Sequence, residues 1–220
     1  MTPEEIEVKS FEIIGDELRR LRSGRFEPDG DSAIEGNPLE ETILRRVIHA
    51  SADFDYDRNL VFTHDAANAA LNAVRKGCVI VTDTLMALSG INKRSLAANG
   101  SRVLCFIADE DVARTASVNR TTRSAAAVDK AAALKDPLVF AVGNAPTALL
   151  RIRDLVKEGA LKPEAVIGVP VGFVNVIEAK EAMLELDIPC IIARGRKGGS
   201  PIAAAIINAL LYYGEPCRRP

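Results

Sequence analysis

The sequence predicts an α/β fold: a doubly wound, three-layer arrangement in which helices cover both faces of a parallel sheet of about five strands. Five short apolar runs, rich in β-branched residues, alternate with segments whose apolar residues recur at helical spacing. Strands that are apolar throughout are typical of parallel sheets, because helices bury both of their faces. Three of these runs lead directly into glycine-rich turns, as strands do at the carboxyl edge of such a sheet.

The N-terminal part of the chain is predicted to be helical. Apolar residues at helical spacing indicate helices over residues 6–21 and 40–52. Glycine, proline and acidic residues dominate the segment between them, 23–38, which we expect to be a mobile surface loop. A third helix is predicted over residues 65–76, with Gly77 ending it as a cap.

Beyond this point, strands and helices alternate along the chain. The predicted strands cover residues 78–81, 102–108, 138–142, 165–169 and 189–193. The main predicted helices between them cover residues 122–134, 147–158, 175–186 and 200–213. No stretch has the composition of a linker and no repeat is visible, so we expect one domain over residues 1–220.

Composition and charge exclude several classes of protein. No apolar run reaches the length of a membrane span, and the acidic N-terminus lacks the basic and apolar regions of a signal peptide, so a cytoplasmic protein is expected. The net charge of −2 argues against general nucleic-acid binding. None of the 4 cysteines forms a Cys-x-x-Cys pair. Cys78, Cys105 and Cys190 lie in or beside predicted strands and Cys217 near the C-terminus, which favours reduced thiols over a metal site.

The three glycine-rich turns predict an anion-binding site. They span residues 143–147, 168–174 and 194–200, and each is expected at the carboxyl edge of the sheet. Backbone amides and helix N-termini attract anions there. Cationic residues lie near the turns: Arg120, Arg123, Arg194, Arg196 and Lys197. A locally basic rim on a mildly acidic protein indicates a small anionic ligand rather than a polymer.

Few residues are candidates for catalysis. His49 lies near the end of the helix over 40–52 and shares a face with Arg46, so it either caps the helix or exchanges protons. His64, by contrast, has the setting of a surface turn residue. Asp83 follows a strand and either caps the next helix or contacts the ligand. Neither a nucleotide-binding fingerprint nor a Gly-x-Ser-x-Gly elbow is present, so a nucleotide-dependent enzyme or a hydrolase has little support.

Seven short motifs, in this order and spacing, make the chain resemble one known family. They are Ser10-Phe-Glu-Ile-Ile14 with Arg46-Val-Ile-His49, Asp83-Thr-Leu-Met86, Thr122-Arg-Ser-Ala-Ala126, Gly143-Asn-Ala-Pro-Thr-Ala-Leu149, Gly168-Val-Pro-Val-Gly-Phe-Val174 and Arg194-Gly-Arg-Lys-Gly-Gly-Ser200. The chain resembles the precorrin-8X methylmutases and cobalt-precorrin-8 methylmutases of cobalamin biosynthesis. The resemblance implies a flavodoxin-like sheet and a homodimer.

The resemblance also implies a reaction. Members of the family move a methyl group from carbon 11 to carbon 12 of an anionic tetrapyrrole, precorrin-8X or cobalt-precorrin-8, giving hydrogenobyrinate or cobyrinate. Because the methyl group never leaves the molecule, no cofactor is expected. His49 falls on the family's catalytic position, and histidine is the side chain whose ordinary pKa, about 6.5, suits a proton donor near neutrality.

The substrate-binding residues follow partly from the resemblance and partly from the glycine turns. Ser10 and Arg46 fall on substrate-contacting positions, and the turns with their cations are expected to hold the carboxylates of the ring. The full predicted set is Ser10, Arg46, Asp83, Arg123, Ser124, Gly143, Asn144, Gly172, Arg194, Arg196, Gly198, Gly199 and Ser200.

Two departures from the family and one alternative function are left open by the sequence. Arg120 stands where the resemblance leads us to expect glycine. The acidic loop 23–38 is longer than expected, and it is either a lid or an insertion. The alternative is a non-catalytic tetrapyrrole carrier with the same pocket. His49 favours the enzyme, since a carrier needs no group that titrates near neutrality.

Overall fold

The computed structural model describes residues 1–24 and 37–214, so Cys217 and most of the predicted loop 23–38 lie outside the described residues. Within them the chain forms one mixed sheet of six strands. These are β1 (Leu60–Thr63), β2 (Val79–Thr82), β3 (Arg102–Leu104), β4 (Leu138–Val142), β5 (Ala165–Gly168) and β6 (Cys190–Ala193). Their order across the sheet is β1-β6-β5-β4-β2-β3.

The topology of the parallel strands is flavodoxin-like, as the resemblance implied. Strands β2 to β6 are mutually parallel, and β1 joins the edge antiparallel to β6, with Leu60 opposite Ala193. Numbered by themselves in chain order, the five parallel strands lie in the order 2-1-3-4-5. The strand order therefore reverses between β2 and β4, the point at which such folds usually bind ligands.

Eleven helices are described. They are α1 (Pro3–Ser23), α2 (Pro38–Ser51), α3 (Tyr56–Asn59), α4 (Ala66–Arg75), α5 (Leu85–Gly90), α6 (Lys93–Ala98), α7 (Glu110–Val118), α8 (Arg123–Ala132), α9 (Pro146–Lys157), α10 (Val176–Leu184) and α11 (Ser200–Tyr212). Local capping fixes where the first two begin. Thr2 and Glu5 form a capping box at α1, and the Asn37 side chain accepts a hydrogen bond from the amide of Leu39 at α2.

Each face of the sheet packs against its own hydrophobic core. Helices α4 and α11 lie against one face, and α11 is buried almost all round because α2 packs on its outer side and α1 packs on α2. Helices α9 and α10 cover the other face through a second aliphatic core. The helical N-terminal segment therefore forms an additional outer layer over α11, which is where the candidate catalytic residues lie.

The prediction of five strands was incomplete, and four helices were missed. Strand β1 has only four residues and lies at a sheet edge, so it gives little periodic signal. The strand predicted over 102–108 ends at Leu104. Helices α3, α5 and α6 have six residues or fewer, and α7 buries only Val112 and Ala116. The first three are too short for their spacing to show a helix, and α7 has few large apolar residues to mark one.

The turns at Gly77 and Arg120 are among those with a backbone conformation that favours glycine. Gly77 follows α4 with a φ of +84°, as expected of a helix-ending glycine. Arg120 also has a positive φ, +51°, just before α8. The turn at Arg120 thus adopts the left-handed conformation that a glycine would adopt more readily.

Within residues 1–24 and 37–214, none of the helices combines the length and the hydropathy that crossing a bilayer requires.

Candidate active site

His49 lies in a defined setting between α1 and α2. Its Nδ1 atom is 3.0 Å from the Oγ atom of Ser10, and its ring stacks on Phe11 with 5.0 Å between ring centroids. Phe11 is buried in the core that joins the two helices, whereas His49 is exposed. The ring is therefore held on one side and along one edge, while Nε2 makes no hydrogen bond to another described residue. This geometry suits a group that exchanges a proton with a ligand.

Arg46 lies beside this pair but is turned towards the protein. Its guanidinium lies over the ring of Phe11, at 4.7 Å, and over that of Tyr212, at 5.3 Å. Its Nη1 atom donates to Glu7 at 2.6 Å, and only 11 % of the side chain is exposed. Among the described residues, Nε of Arg46 is the buried side-chain polar atom without a hydrogen bond. In this structure Arg46 fixes the aromatic wall behind His49.

The carboxylate of Asp83 occupies the point where the strand order reverses. Asp83 follows β2, and its Oδ1 atom accepts from the amide of Gly143 at 2.8 Å. Its Oδ2 atom accepts from the amides of Asn144 and Ala145, at 2.8 and 2.6 Å. Burial raises the pKa of the Asp83 carboxyl, and the three amide hydrogen bonds act in the opposite direction.

In the structure Asp83 holds the turn after β4, and the cap that was predicted for it comes from another residue. Asp83 does not cap the next helix, because Thr84 caps α5 by accepting from the amide of Ala87. It is also buried, and it uses the amides of Gly143 and Asn144 that were predicted to bind the substrate. These two amides are not available to a ligand while Asp83 holds them.

The other glycine turns are also joined to one another. The Oγ atom of Ser200 lies 2.7 Å from Oγ1 of Thr84, which connects the turns after β6 and β2. The amide of Gly199 donates to the carbonyl of Val169 at 2.8 Å, and the amide of Gly172 donates to the carbonyl of Arg196 at 3.2 Å. The turns after β2, β4, β5 and β6 therefore form one hydrogen-bonded rim.

Two glycines of the rim are required by close approach rather than by a ligand. A Cβ atom at Gly143 would lie 2.7 Å from the Cα atom of Ser200. A Cβ atom at Gly198 would lie 2.1 Å from the carbonyl oxygen of Val169. Together with the burial of Ser200, these contacts give Gly143, Gly198, Gly199 and Ser200 a scaffolding role that the sequence did not reveal.

The helix that carries His49 ends beside this rim. Lys197, in the turn after β6, pairs with Asp53 at 2.7 Å and Asp55 at 2.6 Å, just beyond the end of α2 at Ser51. The chain then continues through α3 into β1, whose first residue pairs with the last residue of β6. The folded chain thus brings the C-terminal end of α2, which carries His49, to the carboxyl edge of the sheet.

The predicted cations differ in their availability. Arg194 is held by Glu181 through two hydrogen bonds of 3.0 and 2.6 Å. The guanidinium of Arg196 lies 5.5 Å from the centroid of the exposed Phe173 ring and pairs with no described carboxylate. Arg123 is exposed at the first position of α8, and Ser124 beside it is partly buried. The cap of α8, Thr122, lies 2.9 Å from Thr147 of α9, so the N-terminal ends of these two helices adjoin.

A cleft of about 450 Å³ lies where α1 meets α2, and it shares Phe11 with the His49 pair. It is lined by Phe11, whose ring stacks on His49, and by charged side chains that include Arg19 and Arg45. Gly15 lies against the Arg45 guanidinium, with room for no more than a tight Cβ contact. Sequence reasoning missed Arg45 because the cleft exists only where α1 and α2 pack together.

Sequence reasoning also missed a buried lysine on α10. Lys180 is 0 % exposed, and its Nζ atom donates to the carbonyls of Gly195 and Lys197, both at 2.8 Å. Burial lowers the pKa of Lys180 to about 8. Lys180 lies on the buried face of α10 with Val176 and Met183, but lysine is usually exposed, so sequence reasoning gave it no role. Across residues 1–24 and 37–214, no group of three or more His, Cys, Asp or Glu side chains is arranged to hold a metal ion.

Comparison with known families gives a match over nearly the whole chain. Residues 5–213 match the family model described as precorrin-8X methylmutase. The chain is 48 % identical to the cobalt-precorrin-8 methylmutase of Salmonella typhimurium over 212 residues, which covers 96 % of this chain and 95 % of the relative. It is 37 % identical to the precorrin-8X methylmutase of a Sinorhizobium species, over 80 % of this chain and 84 % of the relative.

A solved structure agrees with this match. The precorrin-8X methyl mutase of Thermus thermophilus superposes with a TM-score of 0.78 at 40 % sequence identity, covering 94 % of this chain and 95 % of that one. The fold and the sequence therefore point to the same group of proteins.

The three amide hydrogen bonds of Asp83 lead to a prediction about stability. Asp83→Asn replaces one accepting oxygen with an NH₂ group that faces backbone N–H groups. We expect the free energy of unfolding to fall by about 1–3 kcal/mol, measured by urea denaturation at pH 7. Asp187→Asn is the control, because Asp187 is fully exposed and His64 is its one ion-pair partner within the described part of the chain, and it should change stability by less than about 0.5 kcal/mol. Equal effects of the two substitutions would contradict the scaffolding role.

Proposed function

Because the chain belongs to the precorrin-8X methylmutase family, we propose that it is an isomerase of corrin-ring biosynthesis that moves a methyl group from carbon 11 to carbon 12 of precorrin-8X or cobalt-precorrin-8. The products are hydrogenobyrinate or cobyrinate. Family membership rests on the match over residues 5–213 and on relatives up to 48 % identical over almost their whole length. A non-catalytic carrier is not favoured by these comparisons.

The observation that carries the mechanism is the contact between His49 and Ser10. A proton placed on a ring nitrogen draws electron density towards the acceptor carbon and so assists the migration of the methyl group. His49 is the donor in this proposal, because its ring is exposed and is held by a hydroxyl at Nδ1 and an aromatic ring at one face. General acid assistance of this kind is typically worth 10²- to 10⁴-fold in rate.

Ser10 can hold the imidazole in both of its protonation states. A hydroxyl can donate and accept, so Ser10 Oγ accepts from Nδ1–H when His49 is charged, and it can still do so after Nε2 has lost its proton. Nε2 is then the nitrogen that gives a proton to the substrate and takes one back when the rearrangement is complete. The cycle leaves both His49 and the proton count of the substrate unchanged. Ser10 therefore acts through His49, as a positioning residue.

The charged rim has a binding role in this proposal. Arg123, Asn144 and Arg196 are exposed at or near the carboxyl edge, and each can reach a peripheral carboxylate of a large ring. Ser124, Gly172 and Arg194 remain predicted contacts. Asp83, Gly143, Gly199 and Ser200 are buried, and we propose that they support the site by fixing the shape of the turns. Arg46 acts in the same way, by fixing the aromatic wall behind His49.

The cytoplasm as location and a single domain over the whole chain stay predictions of the same proposal. Cell fractionation would test the location, and limited proteolysis of the purified chain would test the single domain. A soluble tetrapyrrole enzyme of this kind needs no membrane or nucleic acid as a partner.

The proposed activity is tested with purified protein and each of the two substrates. We expect the visible spectrum to change to that of the corrin product with precorrin-8X, cobalt-precorrin-8 or both, because methyl migration alters the conjugated ring. If a folded sample binds the tetrapyrroles but converts neither of them, the protein is a tetrapyrrole carrier and the isomerase proposal is wrong.

Variants at His49 and Ser10 test the proton donor. We expect His49→Ala to lower kcat by about 10²- to 10⁴-fold while the dissociation constant of the product stays nearly unchanged. Ser10→Ala should lower kcat by about 10-fold, the equivalent of one hydrogen bond, and Ser10→Thr should recover most of it by keeping the hydroxyl. Normal turnover of His49→Ala would show that another group supplies the proton. A change confined to KM in Ser10→Ala would return Ser10 to the role of a substrate contact.

A homodimer is part of the proposal, and the structure offers one surface for it. Four large apolar residues are exposed in the segment after β5: Val171, Phe173, Val174 and Ile177. Adjacent exposed apolar residues of this kind are typical of subunit contacts. We expect sedimentation at micromolar concentration to give twice the 23.6 kDa chain mass, and Phe173→Asp to shift the sample towards the monomer. A monomeric wild-type protein under these conditions would contradict the dimer.

A further inference from the structure

Lys180 is a buried charge that neither the mechanism nor the core explains. Its Nζ atom makes two hydrogen bonds, to the carbonyls of Gly195 and Lys197, and it forms no ion pair with a described carboxylate. The neighbouring Glu181 is already held by Arg194. Burying an ammonium group costs free energy unless hydrogen bonds or ion pairs compensate for its lost hydration. An apolar side chain would avoid this cost. The position of the ammonium therefore indicates a role in the turn that it contacts.

The two hydrogen bonds determine which way the turn presents its amides. Every peptide bond in the described residues is trans, so each N–H group points away from the carbonyl that precedes it. The carbonyls of Gly195 and Lys197 point inwards to Lys180, and the carbonyl of Arg196 accepts from Gly172. The amides of Arg196 and Gly198 must then point away from Lys180, and the amide of Lys197 must point away from Gly172.

These three successive amides are not used within the described part of the protein. None of them donates a hydrogen bond to another described residue, and neither does the amide of Gly195, whereas the amides of Arg194 and Gly199 donate to Asn59 and Val169. Successive backbone amides without a partner can form an anion-binding concavity of the kind known as a nest. The Arg196 guanidinium adds a positive charge that no described carboxylate neutralises.

We propose that Lys180 is a positioning residue for substrate binding: its ammonium holds the turn 194–199 so that the amides of Arg196 and Gly198 bind one peripheral carboxylate of the tetrapyrrole. The choice of ligand rests on the proposed function, whereas the geometry of the turn does not. Lys180 itself does not touch the substrate. Its ammonium holds the carbonyls of Gly195 and Lys197, on the side opposite to the amides of Arg196 and Gly198, and adds positive potential there.

The proposal is tested with Lys180→Met, which keeps the length and the apolar stem of the side chain but removes the ammonium. Lys162→Met is the matched control, because Lys162 is an exposed lysine outside the rim. For each protein we would titrate hydrogenobyrinate by absorbance, follow amide hydrogen exchange of peptides that cover residues 194–199, and measure kcat and KM. All measurements are made where circular dichroism shows a fully folded sample.

We expect Lys180→Met to weaken hydrogenobyrinate binding by about 10-fold, with a matching rise in KM and a change in kcat of less than about 3-fold. Exchange at residues 194–199 should become faster, and the control should resemble wild type in every measurement. If Lys180→Met fails to fold, Lys180→Gln takes its place, since its amide can still donate to one of the two carbonyls and should give a smaller loss.

Two results would overturn the proposal. Faster exchange with unchanged affinity would mean that Lys180 orders a turn that does not bind the ligand. Unchanged exchange and unchanged affinity would mean that the turn keeps its shape without the ammonium. Failure of the wild-type protein to bind hydrogenobyrinate would instead defeat the proposed function and its ligand, and the exchange measurement would still decide whether Lys180 orders the turn.

Discussion

The Asp83 carboxylate, with three successive backbone amides bonded to its two oxygens, is the contact on which the carboxyl edge of the sheet depends. It lies between β2 and β4, where the strand order reverses and where α/β folds of this type usually bind a ligand. Here the protein's own side chain occupies that position. A buried carboxylate is tolerated because each oxygen is satisfied by N–H donors, and the result is a closed turn that supports its neighbours.

Two buried charges of opposite sign give neighbouring turns opposite properties. Asp83 draws the amides of residues 143–145 inwards, so that turn loses its capacity to bind an anion. Lys180 draws the carbonyls of residues 195 and 197 inwards, so the turn after β6 presents its amides outwards. Three turns that looked equivalent as glycine-rich sequence are therefore not equivalent. One is part of the scaffold, and another is a candidate receptor for a carboxylate.

The proton donor and the carboxylate-binding rim come from different layers of the fold. Ser10 projects from α1 and His49 from α2, and these helices pack outside α11. The rim, by contrast, consists of the turns that follow the strands of the sheet. The pairing of Lys197 with Asp53 and Asp55 joins the two layers directly beyond the end of α2. A large flat ring can span such an arrangement, since its reacting carbon and its peripheral carboxylates are far apart. Substrate binding and proton donation can thus be provided by separate elements of the fold.

The sequence by itself determined the α/β class, the covered parallel strands, most of the long helices and the family, because these follow from local periodicity and from motifs along the chain. It also singled out His49 and the glycine turns. It could not assign Asp83, Arg46 or the rim glycines their roles, because these depend on contacts between residues far apart in the chain, such as Asp83 with Gly143 and Arg46 with Tyr212. It gave Lys180 no role for the same reason. Only the tertiary structure decided which polar groups are satisfied inside the protein, and therefore which remain for a ligand, because hydrogen bonding is settled by distance in space and not by position in the sequence.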